Sequence, residues 1–339
     1  MISKLARRFA LTLFLTSSLT GWICAQDSRW WKGNIHTHTL NSDGDSSPGE
    51  VAHWYRDHGY DFLVLSDHNY RTAIDELQKE FDRETSVQSK GSFLFIPGEE
   101  VTSSFDKIPV HTNGVDTQHS VQVPTATSKT GLLQAQVDAI HAAGGVASVN
   151  HPNFRWALTA RDLASLRHLK HFEIFNGHPH ANNSGGGAYQ SLEEMWDEIL
   201  SNGIRLFGVA VDDAHHFQVW GSQYANPGRG FIMVRAASLS REAIRQAFEN
   251  GNFYASTGVL LDNIEMAAGT LSIRIKANGD AAFRTYFIGD NGRVLGRSTS
   301  LTPSYTLKKR DDYVRARIVS SRGEYAWTQP LFRNERPYP

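Results

Sequence analysis

The chain has 339 residues, of which 40% are hydrophobic, so it is long enough to bury a sizeable core. Its 34 Lys and Arg residues nearly balance its 35 Asp and Glu residues. This balance argues against a large nucleic acid as the main partner, because such proteins usually carry a basic surplus. The 15 histidines are numerous, and their placement is the most informative feature of the sequence.

The first 25 residues have the layout of a secretory signal peptide. Lys4, Arg7 and Arg8 precede an apolar stretch, and the small residue Ala25 comes before polar residues. We therefore expect cleavage after Ala25 and a secreted or periplasmic protein with no membrane span. The apolar stretch contains several Ser and Thr residues, which disfavours an uncleaved anchor helix. Cleavage would also remove Cys24, the single cysteine, so the mature chain would contain no disulfide.

Short apolar runs alternate with helix-like segments between about residues 31 and 258, which predicts successive βα units. Capping boxes at Ser47 to Glu50 and at Ser191 to Glu194 predict the starts of two helices. Residues 102–130 and 177–189 break the rhythm, so we expect functional loops or disordered insertions there. The predicted strands are residues 33–36, 62–65, 93–96, 146–149, 172–175 and 204–211.

The pattern changes after about residue 259 to an alternation with period two. Leu271, Ile273 and Ile275 are an example of this alternation, which is typical of antiparallel strands with one buried face. The sequence therefore predicts a signal peptide over residues 1–25, a large α/β domain over 26–258 and a small antiparallel β domain over 259–339.

Polar side chains follow six of the predicted strands at the point where each strand ends. These side chains are His36 and His38, Asp67 and His68, Glu99 and Glu100, His151, Asn176, and Asp213 and His215. Because residues two apart on a strand point to the same side, both imidazoles of His36-Thr37-His38 can reach one metal ion. In barrels of parallel strands the active site lies at the C-terminal ends of the strands, so we expect a metal centre there.

Several motifs resemble those of the polymerase and histidinol phosphatase (PHP) superfamily, in the same order along the chain. They are His36-Thr37-His38-Thr39, Ser42-Asp43-Gly44, Leu65-Ser66-Asp67-His68-Asn69, Pro97-Gly98-Glu99-Glu100, Asn150-His151-Pro152 and Asp213-Ala214-His215. The resemblance covers about residues 32–216 and implies a distorted (β/α)7 barrel. Phe253-Tyr254-Ala255-Ser256-Thr257-Gly258 and the β-rich tail are similar to the secreted branch related to carbaryl hydrolase.

The same resemblance implies a cluster of two or three divalent metal ions. The ligands that it implies are His36, His38, Asp43, His68, Glu100, His111, His151, Asp213 and His215. Glu100 matches the bridging glutamate, and Glu99 is then its neighbour. Mixed imidazole and carboxylate ligands suit Zn, Mn or Fe.

The resulting expectation is a phosphoesterase that hydrolyses phosphomonoesters or phosphodiesters of small molecules by a metal-bound hydroxide. We expect Arg155, His178 and His180 to contact the substrate and stabilise negative charge, and one of them or a metal-bound water to protonate the leaving group. Two alternatives stay open. The first is a metal-dependent hydrolase of carbamates, esters or amides, and the second is a non-catalytic binding protein that the metals stabilise.

Overall fold

The computed structural model describes residues 28–88 and 91–333. The predicted signal peptide and its cleavage site lie outside these residues. In this part of the chain, no helix is long and apolar enough to cross a membrane.

Six helices lie among the described residues, and both predicted capping boxes are confirmed. The helices are α1 (Pro48–Asp57), α2 (Asp75–Gln88), α3 (Lys129–Ala142), α4 (Ala160–Ala164), α5 (Leu192–Ser201) and α6 (Arg241–Glu249). At the start of α1, the Ser47 side chain accepts the Glu50 N–H, and the Glu50 carboxylate accepts the Ser47 N–H. Ser191 and Glu194 make the same reciprocal pair at the start of α5, which satisfies amide groups that the helix leaves free.

The largest sheet has ten strands. They are β1 (Arg29–Asn34), β2 (Phe62–Val64), β3 (Leu94–Ile96), β9 (Phe231–Ala236), β10 (Phe253–Ser256), β13 (Phe283–Gly289), β14 (Arg293–Ser298), β16 (Tyr313–Ser320), β17 (Tyr325–Thr328) and β18 (Leu331–Phe332). The order is β14-β13-β16-β17-β10-β9-β1-β2-β3, and β18 pairs with β16. Only the pairs β1-β2 and β2-β3 are parallel.

A second sheet has five strands in sequence order, and a third has three. The five are β4 (Gly98–Phe105), β5 (Ile108–Val115), β6 (Val146–Val149), β7 (His171–Asn176) and β8 (Phe207–Val211). The three are β11 (Leu261–Ala267), β12 (Thr270–Ile275) and β15 (Ser304–Thr306), in the order β11-β12-β15. The core beside the five-stranded sheet includes the fully buried residues Leu133 and Ile140 of α3 and Trp196 of α5.

The protein is a mixed α/β protein, but the described residues form no closed barrel, so the predicted (β/α)7 barrel is not observed. A barrel of βα units needs parallel neighbours throughout, whereas β4 and β5 are antiparallel and β9 runs antiparallel to β1. Isolated bridges join strand ends of the ten-stranded and five-stranded sheets, between Thr37 and Ala214 and between His68 and Glu100. The two sheets also share a core, in which Val209 of β8 and Ile232 of β9 are both buried.

The prediction of an irregular stretch over residues 102–130 is wrong for residues 102–115, which belong to the hairpin of β4 and β5, and residues 116–128 do lie outside helices and strands. Asp106 and Lys107 form the two-residue turn, with φ of 48° and 68°. This left-handed pair is the conformation that suits the twist of a tight hairpin. Val101 and Val110 face the core and are fully buried. The many polar residues on the other side of the hairpin hide its alternation in the sequence.

The ten-stranded sheet runs across the domain boundary that the sequence predicts at residue 258. β10 lies before the boundary, and it pairs with β9 on one side and with β17 on the other. The division into two domains stays a prediction.

Candidate metal centre

All nine residues that the sequence implies as metal ligands lie together at the ends of the strands. They come from loops after β1, β2, β6 and β8, and from β4 and β5 themselves. His36 and His38 are fully buried, while Asp43 lies half-exposed at the edge of the cluster. The strand ends therefore bring together side chains that are up to 179 positions apart in the chain, from His36 to His215.

These nine residues form four overlapping groups that could hold a metal ion. Within each group, the candidate ligand atoms lie within 4.8 Å of one another. The groups are His38, Asp43, His68 and His215; His36, His38 and Asp213; His36, Glu100 and His151; and His68, Glu100 and His111. Each group shares one residue with two of the others, so the candidate sites adjoin one another.

Lone pairs face each other at the centre of this cluster. His36 Nε2 lies 3.2 Å from His38 Nε2 and 3.1 Å from Asp213 Oδ1. The buried Glu100 Oε2 lies 2.6 Å from His68 Nδ1 and 3.5 Å from His38 Nε2. Acceptor atoms packed this closely repel one another unless a cation or protons lie between them, so this donor set fits divalent metal ions.

The charges of the two buried carboxylates also suit a cation. Burial alone would raise the pKa of Glu100, but His111, His36 and His68 hold it well below its usual range. Burial alone would also raise the pKa of Asp213, but His36, His38 and His215 hold it well below its usual range. Both carboxylates are therefore ionised and available as ligands.

A layer of hydrogen bonds behind the cluster orients the candidate ligands, and sequence reasoning missed its key member, Glu173. Glu173 Oε1 lies 2.6 Å from His36 Nδ1, and Oε2 accepts the backbone N–H of His151 at 2.6 Å. Asn176 Nδ2 donates to Glu173 Oε2 at 2.8 Å and to Asp213 Oδ2 at 3.1 Å. The signal that could have found Glu173 is a charged residue inside the apolar strand Phe172-Glu173-Ile174-Phe175.

Asp67, which precedes His68 in the predicted motif, belongs to none of the four groups. Its carboxylate accepts the Thr39 N–H at 2.7 Å and hydrogen bonds from the hydroxyls of Thr39, Ser42 and Thr72 at 2.7 to 3.0 Å. Asp67 therefore fixes the loop that carries Asp43 rather than offering a free ligand atom.

The predicted substrate residues Arg155, His178 and His180 belong to none of the four groups. The ring centroid of His178 is 5.7 Å from that of His215, and His178 Nδ1 accepts the His180 N–H at 3.2 Å. Burial lowers the pKa of His178 to about 4, so its imidazole is neutral near pH 7. Arg155 and His180 are exposed. Their catalytic roles stay predictions.

The turn after β6 places three non-glycine residues in the left-handed region. The φ angles are 25° at His151, 52° at Arg155 and 56° at Trp156. Such residues cost on the order of 1–3 kcal/mol each and persist where the surroundings hold them in place. Asn153 provides that support, since its Nδ2 donates to the carbonyls of Asn182 and Gln190 at 3.1 and 2.8 Å. The turn is thus tied to the loop after β7.

A fifth group of possible ligands, His53, Glu80 and Glu84, lies apart from this centre on α1 and α2. Arg56 Nη2 lies 2.6 Å from Glu84 Oε2, so a cation already occupies that position. In the central cluster, the ion-pair partners of Glu100 and Asp213 are histidines that are themselves candidate ligands.

No protein-family model matches the chain, and no curated protein matches it. A similar solved structure is that of a two-domain protein from Bacteroides vulgatus that contains a predicted PHP-like metal-dependent phosphoesterase. It is 15% identical, and the match covers 90% of this chain and 96% of that chain, with a TM-score of 0.49. An amidohydrolase from Chromobacterium violaceum is 16% identical, with 55% and 88% covered and a TM-score of 0.36.

A lesion-specific endonuclease from Pyrococcus furiosus is 12% identical to the chain. The match covers 66% of this chain and 56% of the endonuclease, with a TM-score of 0.37. Likenesses this distant do not establish a family or an activity, so membership of the superfamily that the motifs resemble stays a prediction. The fold and site define a mixed α/β protein with a candidate metal centre of several adjoining groups.

Proposed function

We propose that the protein is a metal-dependent hydrolase of phosphoesters. The observation that carries this proposal is the set of four overlapping ligand groups, in which Glu100 and three histidines are each shared. A purely structural metal site usually needs four ligands closed around one ion. Nine candidate ligands in adjoining groups instead suit two or three ions of Zn, Mn or Fe.

The shared residues set how the ions can be distributed. His36 Nδ1 faces Glu173, so only Nε2 is left as a ligand and His36 serves one ion at a time. Glu100 has two oxygens and lies in two groups, so it would help to hold an ion in either group. When bound, adjacent divalent ions lower the pKa of water and stabilise the oxygens of an in-line displacement at phosphorus.

The chain's own residues supply orientation and hydrogen bonds around the reacting group. Because His178 Nδ1 accepts the His180 N–H, the proton of the neutral ring lies on Nε2, where it can be donated to a phosphoryl oxygen. The exposed guanidinium of Arg155 can pair with a second anionic oxygen. Phe154 packs near both His151 and His178, with its ring centroid 5.2 Å from that of His151 and 6.0 Å from that of His178. Its ring provides an apolar wall.

Phosphoesters are proposed as the substrate class because of the motifs that resemble the PHP superfamily. The same ligands could serve a carbamate, ester or amide hydrolase, which would need an oxyanion donor rather than several anion contacts. A panel of p-nitrophenyl phosphate, bis(p-nitrophenyl) phosphate and an aryl carbamate separates these classes. If the protein hydrolyses the carbamate and neither phosphoester, the protein is a carbamate hydrolase and the phosphoesterase proposal is wrong.

The decisive variants each remove one ligand of the group His36, His38 and Asp213, and His36 also belongs to a second group. We expect His36→Ala and Asp213→Ala to abolish phosphoester hydrolysis and to lower the bound metal measured by elemental analysis. His119→Ala and Asp138→Ala are matched controls, since both side chains are exposed and belong to none of the candidate ligand groups. Unchanged hydrolysis in the ligand variants would disprove the proposed site, and bound metal without hydrolysis of any substrate would favour a binding protein.

We also propose that the protein is exported, on the basis of its first 25 residues. N-terminal sequencing of protein recovered from the periplasm or medium should begin at Gln26. Recovery of the full-length chain only from the cytoplasmic fraction would contradict export while leaving the hydrolase proposal intact.

A further inference from the structure

A row of arginines surrounds a tyrosine on one face of the ten-stranded sheet. Tyr286 of β13 pairs in register with Arg297 of β14 and with Arg317 of β16. Side chains of directly paired residues lie on the same face, so the two guanidinium groups flank the phenol. Arg284, two residues before Tyr286 on β13, shares this face. We refer to Arg284, Tyr286, Arg297 and Arg317 as the arginine face.

The cationic groups of the arginine face lie close to the aromatic ring. The guanidinium carbons of Arg317 and Arg297 are 5.1 and 5.8 Å from the Tyr286 ring centroid. A hydrogen bond with Arg284, together with the neighbouring positive charges, lowers the pKa of the Tyr286 phenol. The face therefore presents a planar ring among several positive charges.

Acidic partners do not account for these charges. Arg317 pairs with Glu193 of α5 at 3.1 Å, but neither Arg284 nor Arg297 forms an ion pair with a carboxylate of the described residues. Arg315, two residues before Arg317 on the same strand, shows the contrast, since its guanidinium lies 2.7 Å from Asp197 and 3.1 Å from Glu193 under α5. The neutralised arginine is covered, while the arginines without partners are exposed.

Two open hollows of 520 and 730 Å³ flank the arginine face. Arg284, Tyr286 and Thr299 line both hollows, and neither is lined by Asp or Glu. Leu301, which is 43% exposed, and Val319 give the smaller hollow an apolar floor. The larger hollow is bordered by the hydroxyls of Ser298 and Ser300. Both hollows therefore combine cationic and hydroxyl groups with the Tyr286 ring, and the smaller one adds an apolar floor.

We infer that the arginine face binds single-stranded nucleic acid, a function that goes beyond the proposed hydrolase activity. Guanidinium and hydroxyl groups are the usual donors to phosphate oxygens, while aromatic rings, Arg planes and apolar floors accept the flat faces of bases. Two strand spacings separate Arg297 from Arg317 by roughly 10 Å, so the face is wider than one phosphate. The two adjoining hollows likewise suit a strand of several nucleotides better than a single nucleotide.

The aromatic ring of Tyr286 and the apolar floor favour nucleic acid over a sulfated glycan. Both ligands would pair with arginines, but a glycan has no flat unsaturated ring to stack on Tyr286 or to fill the floor of Leu301 and Val319. The near-neutral composition predicted no large nucleic acid as a partner. Composition averages over 339 residues, whereas this face depends on a local pairing register that composition does not contain.

The test is fluorescence anisotropy of a labelled dT20 oligonucleotide with the full protein. We expect a Kd of roughly 1–100 μM near physiological salt. A plot of the logarithm of the association constant against the logarithm of the salt concentration should fall with a slope of about 0.7 per phosphate contact. The double variant Arg284→Gln/Arg297→Gln leaves the Arg317 ion pair intact. It should weaken binding about tenfold and make the salt slope shallower by about 1.4, which corresponds to two lost phosphate contacts. Tyr286→Leu should weaken binding without changing the salt slope.

Arg274→Gln/Arg310→Gln is the charge-matched control, because both arginines are exposed and lie outside both hollows. It should bind dT20 as the unmodified protein does.

The inference is overturned if the unmodified protein does not bind dT20, or if both double variants lose affinity equally. It is also overturned if Arg284→Gln/Arg297→Gln binds normally, which would place the oligonucleotide elsewhere, such as at the metal centre. Binding of a sulfated oligosaccharide without binding of dT20 would assign the face to glycans instead.

Discussion

The carboxylate of Glu173 holds the imidazole of His36 from behind, with Oε1 2.6 Å from Nδ1. Because the carboxylate accepts, Nδ1 carries the proton and Nε2 presents its lone pair to the centre of the cluster. The other carboxylate oxygen accepts the His151 N–H at 2.6 Å. One buried carboxylate on β7 therefore orients candidate ligands that follow β1 and β6.

Replacing Glu173 with Gln should weaken metal binding while keeping the volume of the side chain. If the Gln amide faces His36, it donates where the imidazole also donates, so the ring must shift its proton to Nε2 and lose its ligand lone pair. Changes to such outer groups typically cost 10–100-fold in metal affinity or activity, and we expect a loss of about that size. Competition with a chromogenic chelator measures the affinity directly.

The control for this variant is Glu242→Gln on α6, which changes the same charge at an exposed position. It should bind metal as the unmodified protein does. Thermal unfolding in the presence of chelator shows whether Glu173→Gln still folds. A folded Glu173→Gln protein with unchanged metal affinity would show that Glu173 does not orient the ligands.

Adding metal to chelator-treated protein should raise its melting temperature. The cluster places ionised Glu100 and Asp213 among acceptor nitrogens, and a bound cation relieves this repulsion in the folded state only. A ligand at about 100 times its Kd stabilises the folded state by about 2.7 kcal/mol. For a chain of this size, the unfolding entropy is about 0.7 kcal/mol/K, so the shift should be about 4 °C. Differential scanning calorimetry with Zn, Mn and Fe would rank the metals. The double variant His36→Ala/His68→Ala removes one ligand from each of the four groups, so a shift of unchanged size in this variant would contradict binding at this centre.

The candidate site was largely predictable because its chemistry recurs at one kind of position. His36, His38, His68, His151 and His215 each follow an apolar strand, and strand ends converge whatever the details of the sheet. Glu173 and Asn176 were not identified as orienting groups, because their partners come from other strands. Only the fold shows that Glu173 lies behind His36, which is 137 positions earlier.

The sheet arrangement was less predictable than the site. Periodicity indicates that a segment is a strand, but it does not say which neighbour the strand pairs with. The β4-β5 hairpin looked irregular because residues such as Thr102 and Ser104 place polar groups on its outer side. The arginine face depends on the same missing information, since Arg284, Arg297 and Arg317 lie on three strands and meet only through register.

Removing Asp197 should destabilise the protein strongly. Its carboxylate lies 2.7 Å from both Nε and Nη2 of Arg315 and accepts the Tyr313 hydroxyl at 3.0 Å, which ties α5 to β16. Asp197→Ala leaves the fully buried Arg315 charge without its main partner, and breaking a buried pair in this way costs about 3–5 kcal/mol. Urea unfolding measures this loss.

The control is Glu198→Ala, at the next and exposed position of α5, which should change stability by less than about 0.5 kcal/mol. Equal losses in both variants would show that the ion pair does not stabilise this contact.

Glu193 should contribute stability that disappears in acid. Burial alone would raise its pKa, but Arg315 and Arg317 lower it below the ordinary glutamate value. A pKa that is lower in the folded than in the unfolded protein gives stability that is fully present above the unfolded pKa and lost as the pH falls through the folded pKa. Urea unfolding at several pH values between 7 and 3 should therefore find Glu193→Gln less stable than the unmodified protein at pH 7, with the gap closing towards pH 3. Because the other carboxylates titrate in both proteins, their effects cancel in this difference. Glu198→Gln should show no such gap, and a Glu193→Gln gap that is constant with pH would contradict the pairing of Glu193 with the two arginines.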